Sequence, residues 1–566
     1  MKTKILFLAA TLHITFYLLP ITSLAQDNEG GTPYSIEQQL NDDLLTAVST
    51  PPFDFAPLIA LSEQRVKQGT YALTDRLFDV NYNLLNSGTS TTLPNGDKLW
   101  KIKIVSPGAK KISLYYQNFY LPEGAKLFVY NANRTEVIGA FTSKNNEEAN
   151  SNEGIFSTDH LSGEVQIVEY YEPKNVKGQG HFSIFRIAHE FKSIQINESE
   201  TCQKDIMCPD GANWQNQKKG VVRIMVVIGS NAGWCSGSLV NNTAQDCKKY
   251  ILTAMHCALD DQDVETTAFS QWKFYFDFEK SGCAAGTAPA KVKTGCTRRA
   301  GAVDGGGSGS DFLLIEITSA TFPTGVTPYY NGWTRATTVS QGGVGIHHPA
   351  GDCKKISTFT TTPTSTSWGF QVPNTHWKFV WQSGHGSTEG GSSGSPVFNS
   401  SGLIFGTLTG GGSCCVLNGC GFSNSGPTQP DSYGKLSYHW TSNGTTSSRQ
   451  LKPWLDPINS GVTTLAGSFV CTPASVEDNL LDSRVNIYPN PSNGSFNVSI
   501  ELTKTNDIDI AVYNIVGQEV SHKKIDNTLG GTFTMDLTNN ADGVYFIHIK
   551  TNNYSVVKNA VLLGSK

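Results

Sequence analysis

Gly390-Gly391-Ser392-Ser393-Gly394-Ser395-Pro396 follows the loop Ser383-Gly384-His385-Gly386-Ser387-Thr388-Glu389 and runs into Val397-Phe398, which reads as the start of a strand. A hydroxyl between glycines on a tight turn suits a serine nucleophile. The glycines allow positive φ and let backbone N–H groups converge on a developing oxyanion. Gly-Ser repeats also occur in plain loops, so the stretch gains meaning only from what stands upstream.

Two upstream segments supply that meaning. Tyr250-Ile251-Leu252-Thr253-Ala254-Met255-His256-Cys257 is a short apolar strand ending in a histidine beside a cysteine. Gly307-Ser308-Gly309-Ser310-Asp311 delivers one aspartate to the apolar strand Phe312-Leu313-Leu314-Ile315-Glu316-Ile317. The order His256, Asp311, Ser393 is that of chymotrypsin and differs from the orders in subtilisin and the α/β-hydrolases. In these roles Ser393 attacks a carbonyl, His256 moves the proton, and Asp311 orients and charge-balances the imidazole. The N–H groups of Gly391 and Ser393 form the expected oxyanion hole. Asp304 is the rival acid; Asp311 is preferred because it adjoins a strand that can bury it.

No cofactor or metal is expected. His347 and His348 are adjacent on a strand and point to opposite faces, which disfavours joint chelation. Asp260, Asp261, Asp263 and Glu265 lack the glycine of a calcium loop and read as a solvated turn. Cys235 and Cys257 could pair to clamp the histidine loop; spacing decides no other pairing.

The 566 residues allow three or four domains, and 55 glycines favour turn-rich β structure. A net charge of −5 gives no footprint for nucleic acid. Twelve cysteines, all of them from Cys202 to Cys471, fit an exported, disulfide-bearing domain. Lys2 and Lys4 precede the apolar run Ile5–Leu19, and Ser23-Leu24-Ala25 offers a cleavage site, so residues 1–25 are expected to be a signal peptide. No later stretch reaches the roughly 20 apolar residues of a transmembrane anchor, and the mature protein is expected to be soluble and monomeric.

Residues 26–192 lack cysteine and alternate in segments such as Leu99–Val105 and Lys111–Tyr116, which predicts a β-rich domain; its place ahead of the triad-bearing segment reads as a pro-region that assists folding and blocks the active site until removed, rather than an accessory or binding domain. Lys192 is a plausible processing point, ahead of Ser193. Residues 193–471 have the size of two packed β-barrels, with a terminal helix near Ser448–Leu455. Residues 472–483 read as a linker. Residues 484–566 predict about seven short strands in a small β-sandwich.

At these residues the chain resembles the chymotrypsin-fold serine peptidases, and most closely the lysyl endopeptidase family. The matches span roughly residues 200–465. They include Cys202 with Cys208-Pro209, Gly237 to Thr243, Leu252-Thr253-Ala254 with His256-Cys257, Ser310-Asp311-Phe312, Ile346 to Pro349, Thr388-Glu389 with Gly391 to Pro396, and Asp431-Ser432-Tyr433-Gly434. The resemblance implies disulfides Cys235–Cys257 and Cys208–Cys283, and Cys202 with Cys414 or Cys415. It gives no counterpart for Cys247, Cys296, Cys353, Cys420 or Cys471. It implies that Asp431 recognises a substrate lysine, since the trypsin pocket-acid position, six residues before the nucleophile, is Ser387 here. A pocket sized for an ammonium would exclude the larger guanidinium. Trp368 matches a tryptophan beside the cleft, while Thr409 replaces a family histidine. Ser392 replaces the aspartate with which a new N-terminus pairs in trypsin, so activation is expected from release of the pro-region.

The last segment resembles the C-terminal sorting domain of the type IX secretion system, through Tyr488-Pro489-Asn490-Pro491, Gly494, Gly517-Gln518-Glu519-Val520 and Gly543-Val544-Tyr545. That implies passage across a Gram-negative outer membrane, with the secretion machinery as partner. The expected function is hydrolysis after lysine in protein or peptide substrates. The alternatives are cleavage after lysine and arginine, an acid-specific peptidase, which Asp431 disfavours by like-charge repulsion, or a non-catalytic binding protein.

Overall fold

Val221–Ile228 is apolar at seven of eight positions and buried along its whole length, as a strand covered on both faces must be. It forms a hairpin with Asn231–Leu239 and pairs on its other edge with Lys273–Phe276. Its one charged residue, Arg223, sits among the rings of Trp234, Tyr275 and Phe278 at 3.7–4.2 Å and donates to the Gly351 carbonyl at 2.9 Å.

This computed structural model describes residues 21–22, 26–67, 71–192, 199–260, 264–265, 267–286, 291–302, 309–368, 372–417, 424–469, 484–551 and 555–564. Asp304, Asp261, Asp263, Cys420, Cys471, the linker and nearly all of the expected signal peptide lie outside them.

The fold is mainly β, with a chymotrypsin-like pair of barrels. In the first barrel, Tyr250–Thr253 joins Asn231–Leu239 to Phe312–Ile317, which pairs with Cys296–Ala302. The strand Lys291–Thr294, paired to Lys273–Phe276, runs through Gly295 into Cys296–Ala302. Gly295 has φ +92°, and this bend closes the ring. The second barrel orders Lys355–Phe359, Gly343–His347, Pro396–Asn399, Ile404–Gly411, Asp431–Lys435 and His376–Phe379 as neighbours. Its core holds Phe359, Trp377, Phe379, Trp381, Phe405 and Tyr433.

Residues 26–192 form two facing sheets over one core that includes Trp100, Leu114, Tyr116, Phe141, Phe156 and Phe182. One of these sheets does not stop at the segment boundary. Leu73–Asn83 pairs with Asn231–Leu239 through Arg76–Asn231 and Asp75–Ala232, so it extends the sheet of the first barrel. Gly233 permits the approach: a Cβ there would lie 2.6 Å from the Tyr71 ring and closer still to the Ala72 carbonyl.

Among its described residues the C-terminal unit contains five strands where about seven were expected: Val485–Tyr488, Ser495–Tyr513, Glu519–Asp536, Gly543–Thr551 and Ser555–Leu562. The difference lies in Ser495–Tyr513 and Glu519–Asp536, whose pairing continues through irregularities near Glu501 and Asn506, so that short alternating runs join into long strands. Their inward positions, Phe496, Val498, Ile510 and Val512, pack with Tyr545 and Ile547. The expected helix near Ser448–Leu455 is a 3₁₀ turn at Ser447–Arg449 and one α-turn at Lys452–Leu455; the longer helix is Leu436–Thr441. Among the described residues no helix is long and apolar enough to cross a membrane.

Candidate active site

The strand Tyr250–Thr253 ends in a 3₁₀ turn, Met255–Ala258, that carries His256. Asp311 stands one residue before Phe312–Ile317, the neighbour of that strand, so the ladder itself brings the two together. His256 Nδ1 donates to Asp311 Oδ2 at 2.6 Å. The backbone N–H groups of Met255 and His256 donate to Asp311 Oδ1 at 2.7 and 3.2 Å. Burial pushes the Asp311 carboxyl up, but the facing His256 and these hydrogen bonds outweigh it and hold the group below the usual carboxylate range. The His256 Nε2 atom is buried and has no hydrogen-bond partner.

Ser393 reaches this point by close backbone packing. Its carbonyl accepts from Ser236 N–H at 2.8 Å, and Gly394 N–H donates to the Leu408 carbonyl at 2.9 Å. Gly391 and Gly394 have φ of +97° and +77°. A Cβ on Gly394 would lie 2.6 Å from Ala254 N and 2.7 Å from the Ser236 carbonyl, and would overlap Thr253 Oγ1. The nucleophile turn therefore rests directly on the strand end that presents His256. Gly394→Ala combines this overlap with a left-handed backbone; the expected result is a loss of about 1–3 kcal/mol in stability with a larger fractional loss of activity, checked by thermal melts beside rate assays.

Among the described residues no hydrogen bond uses the N–H of Gly391 or Ser393. They are two donors left open on one turn. Ser392 points the other way: fully buried, its Oγ bonds His347 Nδ1 at 2.7 Å and Glu389 N–H at 3.2 Å. His347 Nε2 bonds Ser357 Oγ at 3.0 Å, while His348 Nδ1 bonds the Asp352 carbonyl at 2.9 Å, so the two histidines serve separate neighbours.

Asp431 begins the strand Asp431–Lys435 and is wholly buried. Its Oδ2 accepts from Trp381 Nε1, Thr388 Oγ and Ser413 Oγ at 2.6–2.7 Å, and its Oδ1 from Ser413 N–H at 3.2 Å. Burial raises its pKa against the pull of these donors. Among the described residues no cation pairs with it. Ser387 lies beside this group, its Oγ 3.1 Å from Ser413 Oγ. Trp368 is partly exposed, and its ring is centred 6.2 Å from that of buried His376.

Sequence reasoning missed the support behind Asp311. His439 Nε2 and Ser310 Oγ are 2.7 Å apart, and Ser310 N–H donates to Asn443 Oδ1 at 2.8 Å. His376 bonds Thr375 Oγ at 2.7 Å and Thr409 Oγ at 3.0 Å. Burial lowers His439 to about 3 and His376 to about 4, so both are neutral imidazoles at ordinary pH. No local pattern marks either residue, because His439 meets Ser310 from 129 positions away and His376 meets Thr409 from 33.

Disulfides join Cys235 to Cys257, Cys208 to Cys283, and Cys202 to Cys415 rather than Cys414. Cys247 and Cys414 are also disulfide-bonded, and Cys296 and Cys353 are buried free thiols. The Cys235–Cys257 bond closes a loop of 22 residues that contains the His256 strand. Its removal is expected to cost about 2–4 kcal/mol and to loosen that histidine, read by a melting temperature alongside kcat.

Residues 196–434 match the family described as lysyl endopeptidase, C-terminal domain, and residues 486–562 match the secretion system C-terminal sorting domain. A lysyl endopeptidase of Pseudomonas aeruginosa is 27% identical over 276 residues, which is 45% of this chain and 56% of that protein. The chain thus spans about half the length of that relative. Among solved structures, a thermostable serine protease, AL20, from an extremophilic microorganism is 14% identical over 38% of this chain and 91% of its own, with TM-score 0.27. Protease Anisep from Arthrobacter nicotinovorans is 17% identical over 41% of this chain and 93% of its own, with TM-score 0.29. The sorting domain marks the protein for secretion or for attachment at the cell surface. The chain therefore joins a region that matches the lysyl endopeptidase C-terminal domain to one that matches the secretion system C-terminal sorting domain.

Proposed function

We propose that this protein is a serine endopeptidase that cuts peptide bonds on the carboxyl side of lysine. The observation that carries the lysine preference is Asp431, a buried carboxylate held by four neutral donors with no cation of its own. A substrate ammonium supplies the missing charge, and an unpaired buried carboxylate is costly enough to favour it strongly. The triad does the chemistry. Ser393 Oγ attacks the lysyl carbonyl while His256 Nε2 takes its proton, and the open N–H groups of Gly391 and Ser393 receive the oxyanion. His256 then protonates the leaving amine, and water releases the acyl group by the same path reversed. Asp311 keeps His256 in the tautomer with Nδ1–H throughout.

In this reading residues 1–25 are a signal peptide and 26–192 a pro-region. Residues 193–471 are the peptidase, 472–483 a linker and 484–566 the sorting sandwich, with the secretion machinery as partner. Among the described residues no hydrogen bond or ion pair joins 26–192 to His256, Ser393 or Asp431, whereas one of its strands extends the first barrel. Support for the barrel, rather than a polar plug in the pocket, is the role this favours. Lys192 is exposed and suits processing there.

A cleavage map tests the whole reading. Processed protein digests a denatured protein mixture, and mass spectrometry reads the new termini. Cuts confined to lysine are expected. Cuts after lysine and arginine together would reject the narrow pocket, and no cuts from folded, processed protein would reject the enzyme.

A further inference from the structure

Fourteen lysines lie between residues 200 and 469, yet only Lys248 and Lys378 are exposed. Lysine is almost never fully buried unless paired, and here it is paired repeatedly. Glu279 takes Lys218 at 2.5 Å and Lys354 at 3.2 Å; Asp205 takes Lys280 at 2.9 Å and Lys355 at 2.5 Å. Lys273 and Lys293 contact the preceding segment, Lys273 Nζ donating to Ser113 Oγ and to the Thr158 carbonyl at 2.7 Å and Lys293 pairing with Asp27 at 2.8 Å and Glu148 at 3.2 Å, but their backbone is held in the ladder of Lys273–Phe276 with Lys291–Thr294, which does not depend on that segment.

The two exposed lysines are protected in another way. Lys378 lies inside a ladder, with Thr364 on one side and Ser432 on the other, so its backbone cannot be drawn out as an extended substrate. Lys248 adjoins disulfide-bonded Cys247, so an end created there stays tethered.

Residues 26–192 are built the opposite way. Of their eleven lysines, Lys67, Lys110, Lys126, Lys174, Lys177 and Lys192 are exposed, as is Lys144 in its pair with Glu29. Lys174 and Lys177 stand in the turn between Val165–Glu172 and His181–Glu190, next to Gly178 at φ +83°. Lys67 is the last residue of the helix Ala56–Lys67. These bonds lie where chain is most readily presented to a protease.

We propose that the chain is its own substrate in one direction: the site dismantles region 26–192 at its exposed lysines and spares the peptidase region. This rests on the lysine preference proposed above. Each event breaks one lysyl C–N amide bond; water supplies the hydroxyl of the new carboxylate and the proton of the new amine. Because the region is destroyed rather than merely displaced, its barrel-extending strand cannot return, and maturation runs one way.

The test uses the full-length Ser393→Ala chain as substrate for a trace of processed wild-type enzyme, with a lysyl peptide digested in parallel. New termini are read over time by mass spectrometry. Cuts after Lys177 and the other exposed lysines of 26–192 are expected at least about tenfold faster than any cut in 200–469 other than one after Lys248, whose ends stay tethered. A second substrate carries arginine at all seven exposed positions, surface changes that keep charge and fold. Its region 26–192 is expected to survive at least about tenfold longer. Equal cutting of the two regions, an intact 26–192 beside a digested lysyl peptide, or no protection by arginine would overturn the proposal. An uncut lysyl peptide, or protein substrates cut equally after arginine, would instead overturn the lysine preference beneath it.

Discussion

Ser393→Ala is expected to lower kcat on lysyl peptides by about 10⁶-fold while the protein melts at an unchanged temperature. The hydroxyl lost is the only group the proposed mechanism uses as nucleophile, and its removal opens no cavity beyond one oxygen. The backbone that shapes the turn is untouched: Gly394 N–H still meets the Leu408 carbonyl, and Ser393 still accepts from Ser236 N–H. A residual rate of about 10³–10⁴ over uncatalysed hydrolysis is expected, because the open N–H groups of Gly391 and Ser393 remain. Asp311→Asn should cost less, about 10⁴-fold, since it disturbs the tautomer of His256 rather than deleting a reacting atom. The unpartnered His256 Nε2 is consistent with a hydrogen bond that tightens only when substrate is bound. Single-turnover assays with enzyme in excess give the comparison cleanly. A Ser393→Ala protein that retained more than a few per cent of the rate would show that another group carries the attack.

The parts of this site visible in the sequence are those written over a few consecutive residues. Gly390 to Pro396 announces a turn with positive φ, and Gly391 and Gly394 adopt it. An apolar strand ending at His256 and another beginning beside Asp311 are each local patterns, and their pairing aligns the two residues. Asp431 carried no such local mark. A lone aspartate at the start of a strand reads as ordinary, and only the family resemblance singled it out; its burial and its donors from Trp381, Thr388 and Ser413 depend on three other segments. The choice of Cys415 over Cys414 for Cys202 turns on the local path of the loop, which adjacent cysteines do not disclose. The pairing of Leu73–Asn83 with Asn231–Leu239 crosses roughly 150 residues of chain and is set by edge geometry, so alternation alone could give a β-rich segment but not its neighbour.

Asp431→Asn is expected to reduce kcat/KM for lysyl substrates by about 2–5 kcal/mol, or roughly 30- to 5,000-fold, and to make the free protein more stable. The two effects have one origin. In the free protein Asp431 is buried among neutral donors, and burial holds its pKa above the usual value. The folded state therefore keeps a proton that the unfolded chain has released, and stability falls as pH rises from about 3.9 through the raised pKa of Asp431. Asparagine removes the buried charge and with it that pH dependence. With its amide oxygen in the Oδ2 place it keeps the donors Trp381 Nε1, Thr388 Oγ and Ser413 Oγ, and gives up only the longer bond from Ser413 N–H at 3.2 Å. Substrate binding reverses the balance: a lysine ammonium gains from the carboxylate what the empty pocket loses, and the amide offers it only a dipole. Melts of both proteins across pH 4–8, set beside kcat/KM for paired lysyl and arginyl peptides, separate the contributions. A variant both less stable than wild type and equally active on lysine would show that Asp431 is a structural acid, and that lysine is recognised elsewhere.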